Sequence, residues 1–212
     1  MPTLLQIDSS PMGEISISRC LTRAFSEEWQ KAHPDGRVLT RDLAKTTMPP
    51  VDAEWVAANY TPRDSRTPRQ KVVLSLSAKL AREVIDADEY VIGVPMHNWG
   101  PSSLFKLWTD QIILFGETVL ITPSGLVGAL DGRKATIVVT AGRAYGPGSP
   151  NASRNHLVPW IRTFFGNLGV DPIRFVFADG TEDVRKGRID RAAYLSPHIE
   201  AIRGSFANSS SS

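Results

Sequence analysis

"VIGVPMHNWG" (residues 91–100) changes character halfway along its length. Residues 91–95 form an apolar run of the length and composition that are typical of a buried strand. Residues 96–99 instead offer a thioether, an imidazole, an amide and an indole, and Gly100 and Pro101 then turn the chain. Because ligands bind beyond the carboxyl ends of strands in open α/β sheets, this stretch predicts a core strand followed by a ligand-binding loop.

The rest of the chain alternates short apolar runs with amphipathic segments. Strands are predicted at residues 3–10, 37–43, 89–95, 134–140 and 172–178. Helices are predicted at 16–33, 69–86, 102–115, 153–167 and 189–203, and residues 44–68 are proline-rich and irregular, with room for one short helix. This alternation predicts an α/β fold in which helices cover both faces of a five-stranded parallel sheet.

The composition indicates one globular domain. The 212 residues are 42% hydrophobic and 22% charged, and no apolar stretch is long enough to span a bilayer. We therefore expect a cytoplasmic protein with a single domain over residues 1–203 and a disordered Ser-rich tail over residues 204–212. A formal net charge of +2 without a basic stripe argues against a nucleic-acid partner, and a single cysteine argues against an internal disulfide.

The segment "SSPMGEISIS" (residues 9–18) follows the first predicted strand and carries four hydroxyl groups. Ser16 and Ser18 fall where a helix begins, and the free N–H groups and positive dipole of a helix start favour a phosphate. The chain lacks a GxxxxGK[ST] motif, so a nucleoside-triphosphate loop with Mg²⁺ is not expected. The alternative is that Ser16 is only a helix N-cap.

Two further loops follow central strands and could hold a flat ring. Residues 96–99 offer a polarisable sulfur, hydrogen-bonding groups and an indole face, although Met96 and Trp99 could instead pack in the core. In "TAGRAYGPGSPN" (residues 140–151) three glycines let the backbone approach a ligand, while Arg143 and Tyr145 supply polar groups. The alternative is a flexible surface loop. One phosphate-binding loop and two ring-binding loops together suit flavin mononucleotide (FMN).

Several motifs resemble the family of FMN-dependent NADH-azoreductases and NADH:quinone oxidoreductases. "PMHNW" (95–99) running into "PSSLFKLWTDQI" (101–112) is similar to the family signature P-M-[YH]-N-[FW]…L-K-x-[WFY]-x-D, and "SSPMGEISISRCL" (9–21) is similar to its phosphate segment. The segments "TPRQ" (67–70), "FFGNLG" (164–169) and "FVFADG" (175–180) also look like family segments. The similarity runs from residue 3 to about residue 203.

This resemblance implies a flavodoxin-like three-layer sandwich and a homodimer whose active site lies at the subunit interface. It also implies an FMN-binding set in three groups. The phosphate would be held by Ser10, Ser16, Ile17 and Ser18; the isoalloxazine would be lined by Met96, His97, Asn98 and Trp99; the third flavin loop would be Thr140, Ala141, Gly142 and Arg143. Trp99 and Tyr145 would contact the substrate.

The chain departs from the family pattern at two positions. Arg143 stands where members often carry the second of two glycines, and Ile121 stands where they often carry an aromatic residue. Three roles are open for Arg143. Its permanent charge could favour the negatively charged reduced flavin, it could contact the phosphates of the nicotinamide cofactor, or it could face solvent.

The predicted activity is two-electron hydride transfer from NADH or NADPH to quinones, azo compounds and nitroaromatics in a ping-pong sequence. No side chain is expected to be a nucleophile, because the cofactor carries the chemistry. We find no Ser-His-Asp arrangement and no metal-ligand spacing; Cys20 reads as a core residue and Lys106–Asp110 as a helix-surface pair. The alternative function is a flavodoxin-like electron carrier or flavin-binding partner protein, which the near balance of 24 basic and 22 acidic residues disfavours.

Overall fold

The computed structural model describes residues 1–207 of the chain. Its strands are β1 (Thr3–Asp8), β2 (Arg37–Asp42), β3 (Glu89–His97), β4 (Gly100–Pro101), β5 (Val119–Thr122), β6 (Gly125–Gly128), β7 (Lys134–Ala141) and β8 (Ile173–Asp179). Its α-helices are α1 (Ile17–Ala32), α2 (Ala53–Tyr60), α3 (Pro68–Val73), α4 (Ser75–Asp86), α5 (Ser103–Ile112), α6 (Leu157–Asn167), α7 (Thr181–Arg185) and α8 (Arg191–Ala207).

Five of the strands form one parallel sheet in the order β2-β1-β3-β7-β8. This is the flavodoxin-like strand order, in which the chain starts near the centre, moves to one edge and then crosses back. The predicted α/β class and the five-stranded parallel sheet are therefore confirmed. Strands β5 and β6 form a separate two-stranded antiparallel hairpin, which the sequence analysis missed.

Alternate side chains of the central strands feed two separate hydrophobic clusters, because successive residues of a strand point to opposite faces. Leu4, Val91 and Val138 pack against α1 and α8 on one face of the sheet. Leu5, Ile92 and Ile137 pack against α4, α5 and α6 on the other face. This two-sided burial explains why these strands read as continuous apolar runs rather than as alternating ones.

Several predicted boundaries shift because of tertiary contacts. The helix predicted at 69–86 is broken at Leu74 into α3 and α4, and the buried Leu74 packs with Trp55 and Leu114 in a third cluster. Strand β3 continues to His97, because Met96 and His97 pair with β4. The helix predicted at 153–167 begins only at Leu157.

The Ser-rich tail was predicted to be disordered from residue 204, and this prediction is wrong for its first four residues. Helix α8 continues to Ala207, because the Phe206 ring packs edge-on against Phe25 at a centroid distance of 4.9 Å. Residues 208–212 lie outside the described part of the chain. None of the helices in residues 1–207 has the length and apolar character that crossing a bilayer requires.

Candidate functional site

The strand order places a crevice between the carboxyl ends of β1 and β3. After β1 the chain runs outward to β2, and it then returns across β1 to form β3. The strand order therefore reverses between β1 and β3, and the place of this reversal is the switch point of the sheet. The connections on either side of the switch point leave the sheet in opposite directions, which opens a crevice where ligands bind in folds of this kind. The loop after β1 and the loop after β3 both start at this crevice.

Two serines tie the loop after β1 to β3 and to the start of α5. The Ser9 hydroxyl donates a 2.7 Å hydrogen bond to the carbonyl oxygen of Gly93, and the Ser9 backbone N–H donates to the same oxygen at 3.2 Å. The hydroxyl of Ser102, which caps α5, donates to the Ser9 carbonyl oxygen at 3.2 Å. Ser9 therefore fixes the start of the loop. The next residue is Ser10, which is predicted to bind the FMN phosphate.

Ser16 and Ser18 are buried at the first turn of α1. The Ser16 Oγ accepts a 3.3 Å hydrogen bond from the Arg19 backbone N–H, and it lies 3.1 Å from the Ser18 Oγ. Ser16 is thus an N-cap, as the alternative reading held, and it is also one of a pair of adjoining hydroxyls. The N–H groups of the first helical residues, Ile17 and Ser18, have no acceptor within the helix. Hydroxyls and N–H groups at one helix start form a donor set that fits a phosphate.

A close approach of α1 to β3 brings these serines to the sheet edge. A Cβ atom placed on Gly93 would lie 3.1 Å from the Thr22 Cγ2 and 3.2 Å from the Ser18 Cβ. A side chain at residue 93 would therefore push α1 away from the sheet. Gly93 accordingly allows α1 to pack closely against β3.

Arg19 anchors the start of α1 through a buried ionic network that the sequence analysis missed. Its Nη1 lies 2.9 Å from the Asp42 Oδ2 and 3.5 Å from the Asp8 Oδ2. Among the described residues its Nε and Nη2 atoms are buried without a hydrogen-bond partner. Burial raises the pKa of Asp8 although Thr22 and Gln6 donate hydrogen bonds to its carboxylate. The sequence carried no signal for this network, because Arg19 lies about half a turn away from the apolar stripe of Ile17 and Leu21 on α1.

Residues His97–Gly100 form a tight hairpin at the carboxyl end of β3. His97 pairs with Gly100, and the two residues between them have positive φ angles, 47° for Asn98 and 66° for Trp99. Two central residues with positive φ define a type I′ turn, in which Asn is common and Trp is not. The His156 backbone N–H donates a 3.1 Å hydrogen bond to the Trp99 carbonyl oxygen and holds the turn in place.

Trp99 projects into solvent rather than into the core. Its exposed fraction is 48%, so the alternative of a buried, structural indole is wrong. Met96 is half-buried and packs against the main hydrophobic cluster, in agreement with the core alternative for that residue. A left-handed backbone with a large exposed side chain is strained, and such strain is concentrated at functional sites.

One cavity joins the two predicted ring-binding loops. Its volume is about 230 Å³, and it is lined by Met96, Asn98, Trp99, Ala141, Gly142, Arg143 and Tyr145. His97 and Thr140 lie beside this set without lining the cavity; His97 is exposed, whereas Thr140 is buried within β7. A larger cavity of about 320 Å³, bordered by Glu89 and Lys134, lies at the amino-terminal end of the sheet, away from every predicted site residue.

The loop at residues 142–151 is held by hydrogen bonds from neighbouring elements. The Asp179 Oδ2 accepts from the backbone N–H groups of Tyr145 at 2.6 Å and Gly146 at 2.7 Å. The Asn155 side chain donates to the Tyr145 carbonyl oxygen at 3.0 Å. The loop is therefore anchored to the end of β8, contrary to the alternative of a flexible loop. The sequence analysis missed Asp179, although an acid at the carboxyl end of a strand was a usable signal.

The first turn of α7 brings charge to the edge of the cavity. The Glu182 backbone N–H donates to the Gly142 carbonyl oxygen at 3.2 Å, and the Glu182 Oε2 lies 3.9 Å from the Arg143 Nε. Arg143 lines the cavity, yet its side chain is 74% exposed. Within residues 1–207, no group of three or more His, Cys, Asp or Glu side chains is placed to hold a metal ion.

Comparison with known proteins identifies relatives over almost the whole chain. A family model described as "flavodoxin-like fold" matches residues 2–200. A relative from Burkholderia lata named FMN-dependent NADH:quinone oxidoreductase 3 is 59% identical over 204 residues, which cover 96% of this chain and 99% of the relative. An FMN-dependent NADH:quinone oxidoreductase from Acidobacterium capsulatum is 44% identical over 203 residues, covering 96% and 98% of the two chains.

A solved structure with the same fold is an FMN-dependent NADH-azoreductase from Bacillus anthracis in complex with FMN. It superposes with a TM-score of 0.82 and covers 98% of this chain and 99% of its own. Its sequence identity of 21% is low, so the likeness concerns the fold.

Proposed function

Because this chain belongs to the family with a flavodoxin-like fold, we propose that it is an FMN-dependent oxidoreductase that uses NADH to reduce quinones. The observation that carries the proposal is that a hydroxyl-rich helix start after β1 and a cavity lined by the loops after β3 and β7 lie at the carboxyl ends of neighbouring central strands. Relatives that cover nearly the whole chain and are named for this activity support it.

In this proposal the FMN phosphate lies at the start of α1. The buried Ser16 and Ser18 hydroxyls and the backbone N–H groups of Ile17 and Ser18 are its donors, with Ser10 closing the loop. The positive end of the α1 dipole adds to the attraction. Arg19 holds this turn through Asp8 and Asp42, so that the donors are in position before the cofactor arrives.

In this proposal the residues that follow β3 and β7 would hold the isoalloxazine ring. When bound, FMN supplies two-electron hydride chemistry between a nicotinamide donor and an acceptor. Met96 and Trp99 offer apolar contacts to a flat ring, Asn98 offers an amide, and Gly142 leaves space for close approach. The two loops on either side of the ring also contain His97, Thr140, Ala141 and Arg143.

We extend the proposal to a ping-pong sequence in which donor and acceptor use the same cavity in turn. Trp99 and Tyr145 both line that cavity and can pack against flat molecules. Such packing does not depend on one pattern of hydrogen bonds, so the same surface suits quinones, azo compounds and nitroaromatics.

The absorption spectrum of the purified protein, followed by NADH titration, tests the proposal. A visible flavin absorption that bleaches on anaerobic addition of NADH is expected. Steady-state NADH oxidation should then depend on added quinone. A flavin that NADH does not bleach would instead assign the chain to electron carriers, and a protein that binds no FMN would refute the proposal.

We also propose that two copies of the chain form a homodimer that completes the cavity. The cavity of about 230 Å³ is smaller than the ~300–1,000 Å³ that is usual for ligand sites. The β5–β6 hairpin exposes Leu120, Ile121, Leu126 and Val127, and apolar patches of this kind mark interaction surfaces. Light scattering should give twice the mass of the chain, and Ile121→Lys should shift the mass towards the monomer; a monomeric wild type would contradict this.

Replacing Trp99 with glycine is expected to separate strain from function. Glycine removes the cost of the left-handed conformation, about 1 kcal/mol, so the melting temperature should stay level or rise. Loss of the aromatic face should raise the KM for quinone roughly three- to tenfold. Trp99→Phe, which keeps a ring, is the matched control and should retain most of the affinity. A fall in melting temperature with unchanged KM would make Trp99 a structural residue.

A further inference from the structure

Three cationic side chains share one carboxylate at the rim of the cavity. The Glu182 Oε1 lies 2.5 Å from the Lys186 Nζ and 3.9 Å from the Arg185 Nη2, while its Oε2 lies 3.9 Å from the Arg143 Nε. The hydrogen bond from Lys186 holds the pKa of Glu182 below its ordinary value, so the carboxylate is charged at neutral pH. Three positive charges and one negative charge leave a surplus of two positive charges at this rim.

The two arginines of this cluster have unused hydrogen-bonding capacity. Only Lys186 lies within hydrogen-bond distance of Glu182, whereas both guanidinium contacts are 3.9 Å long. No hydrogen bond joins the Arg143 or Arg185 side chain to another described residue, and these side chains are 74% and 71% exposed. Each guanidinium therefore presents a planar set of N–H donors to solvent, the geometry that matches phosphate oxygens.

The cluster adjoins the cavity through backbone contacts. Glu182 is bonded to Gly142 through the backbone, and a Cβ atom on Gly142 would lie 3.8 Å from the Glu182 Cβ. Gly142 and Arg143 both line the cavity. A ligand whose ring enters the cavity and whose phosphates trail outward would thus pass Arg143 and then reach Arg185.

We propose that Arg143 and Arg185 form a subsite for the diphosphate of the dinucleotide donor. This inference rests on the proposed function, since it assigns the outer part of the same site. A nicotinamide dinucleotide carries a doubly charged diphosphate next to the ribose that bears the ring, whereas quinones carry no such charge. The arginines would then strengthen binding of the donor and leave binding of the acceptor unaffected.

Calorimetric titration of the FMN-loaded protein with ADP-ribose, which has the diphosphate but no nicotinamide, tests the subsite directly. Arg143→Gln with Arg185→Gln should weaken ADP-ribose binding roughly five- to thirtyfold, as expected for two exposed contacts to a charged group. Arg188→Gln is the matched control. Arg188 is a neighbouring exposed cation, but its Nη1 already donates to the Asp183 Oδ1 at 2.9 Å, and its loss should leave the affinity unchanged.

The Glu182→Gln variant tests the subsite through a change of ADP-ribose affinity in the opposite direction. It removes the carboxylate that competes with a phosphate for both guanidinium groups, so ADP-ribose should bind roughly two- to fivefold more tightly. Damage to the fold could weaken binding but could not tighten it. Unchanged or weaker binding in a folded Glu182→Gln protein would contradict the subsite.

Donors with and without phosphate separate this inference from the proposed function. Arg185→Gln, which changes no residue of the cavity lining, should raise the KM for NADH and leave unchanged the KM for 1-benzyl-1,4-dihydronicotinamide, a phosphate-free hydride donor. Equal effects on both donors, or weaker FMN binding in parallel, would overturn the subsite while the enzyme remains an oxidoreductase. Absence of any NADH oxidation would overturn the proposed function, and ADP-ribose binding would still report on the arginines.

Discussion

Replacing Ser16 and Ser18 together with alanine is expected to weaken FMN binding by about 30- to 1,000-fold. Each lost hydroxyl removes a hydrogen bond to a charged group, worth roughly 1–2 kcal/mol, and each 1.4 kcal/mol is tenfold in affinity. Both side chains are buried at the helix start, so water cannot readily replace them. Fluorescence titration of the FMN-free protein with FMN gives the dissociation constant.

The N-cap role of Ser16 must be separated from phosphate binding in this experiment. Loss of the bond to the Arg19 N–H should lower the stability of the FMN-free protein by about 1 kcal/mol. Ser26→Ala is the matched control, because its buried hydroxyl lies on the same helix and donates to the Gln6 Oε1 at 2.7 Å. It should cost comparable stability without changing FMN affinity. Equal affinities for the serine double variant and the wild type would leave Ser16 as a cap only.

Gly128→Ala is expected to destabilise the fold by more than about 3 kcal/mol, beyond the usual cost of an overpacked side chain. A Cβ atom at residue 128 would lie 2.1 Å from the carbonyl carbon and 2.3 Å from the carbonyl oxygen of Leu168. These are backbone atoms, and the same oxygen accepts a 2.8 Å hydrogen bond from the Leu130 N–H. To relieve this steric clash, the segment after α6 would have to separate from the end of β6.

Gly166→Ala is the matched control for Gly128→Ala. Gly166 lies in α6, and a Cβ atom there would meet no atom within 4 Å. Because alanine favours a helix over glycine, this change should raise stability by up to about 1 kcal/mol. Urea unfolding of the two variants measures the difference. Similar midpoints for Gly128→Ala and the wild type would show that the two segments separate at little cost.

The sequence by itself determined the fold class and the edge of the sheet at which the site lies. Continuous apolar runs such as residues 91–95, separated by amphipathic helices, are enough to predict a parallel sheet covered on both faces. The carboxyl ends of its strands then follow from chain direction alone. The loops after β1, β3 and β7 were therefore predictable as candidate binding loops, because hydrophobic periodicity and strand direction are local properties of the chain.

Only the tertiary structure decided how those loops are held. Trp99 adopts a left-handed turn because β4 folds back on β3 and His156 bonds its carbonyl oxygen. The loop that carries Tyr145 is fixed by Asp179, 34 residues further along the chain. These partners are distant in sequence, and a local pattern carries no record of which distant residue will lie close in space. The choice among the three roles of Arg143 depends in the same way on Glu182, which reaches it only because α7 follows the strand next to β7.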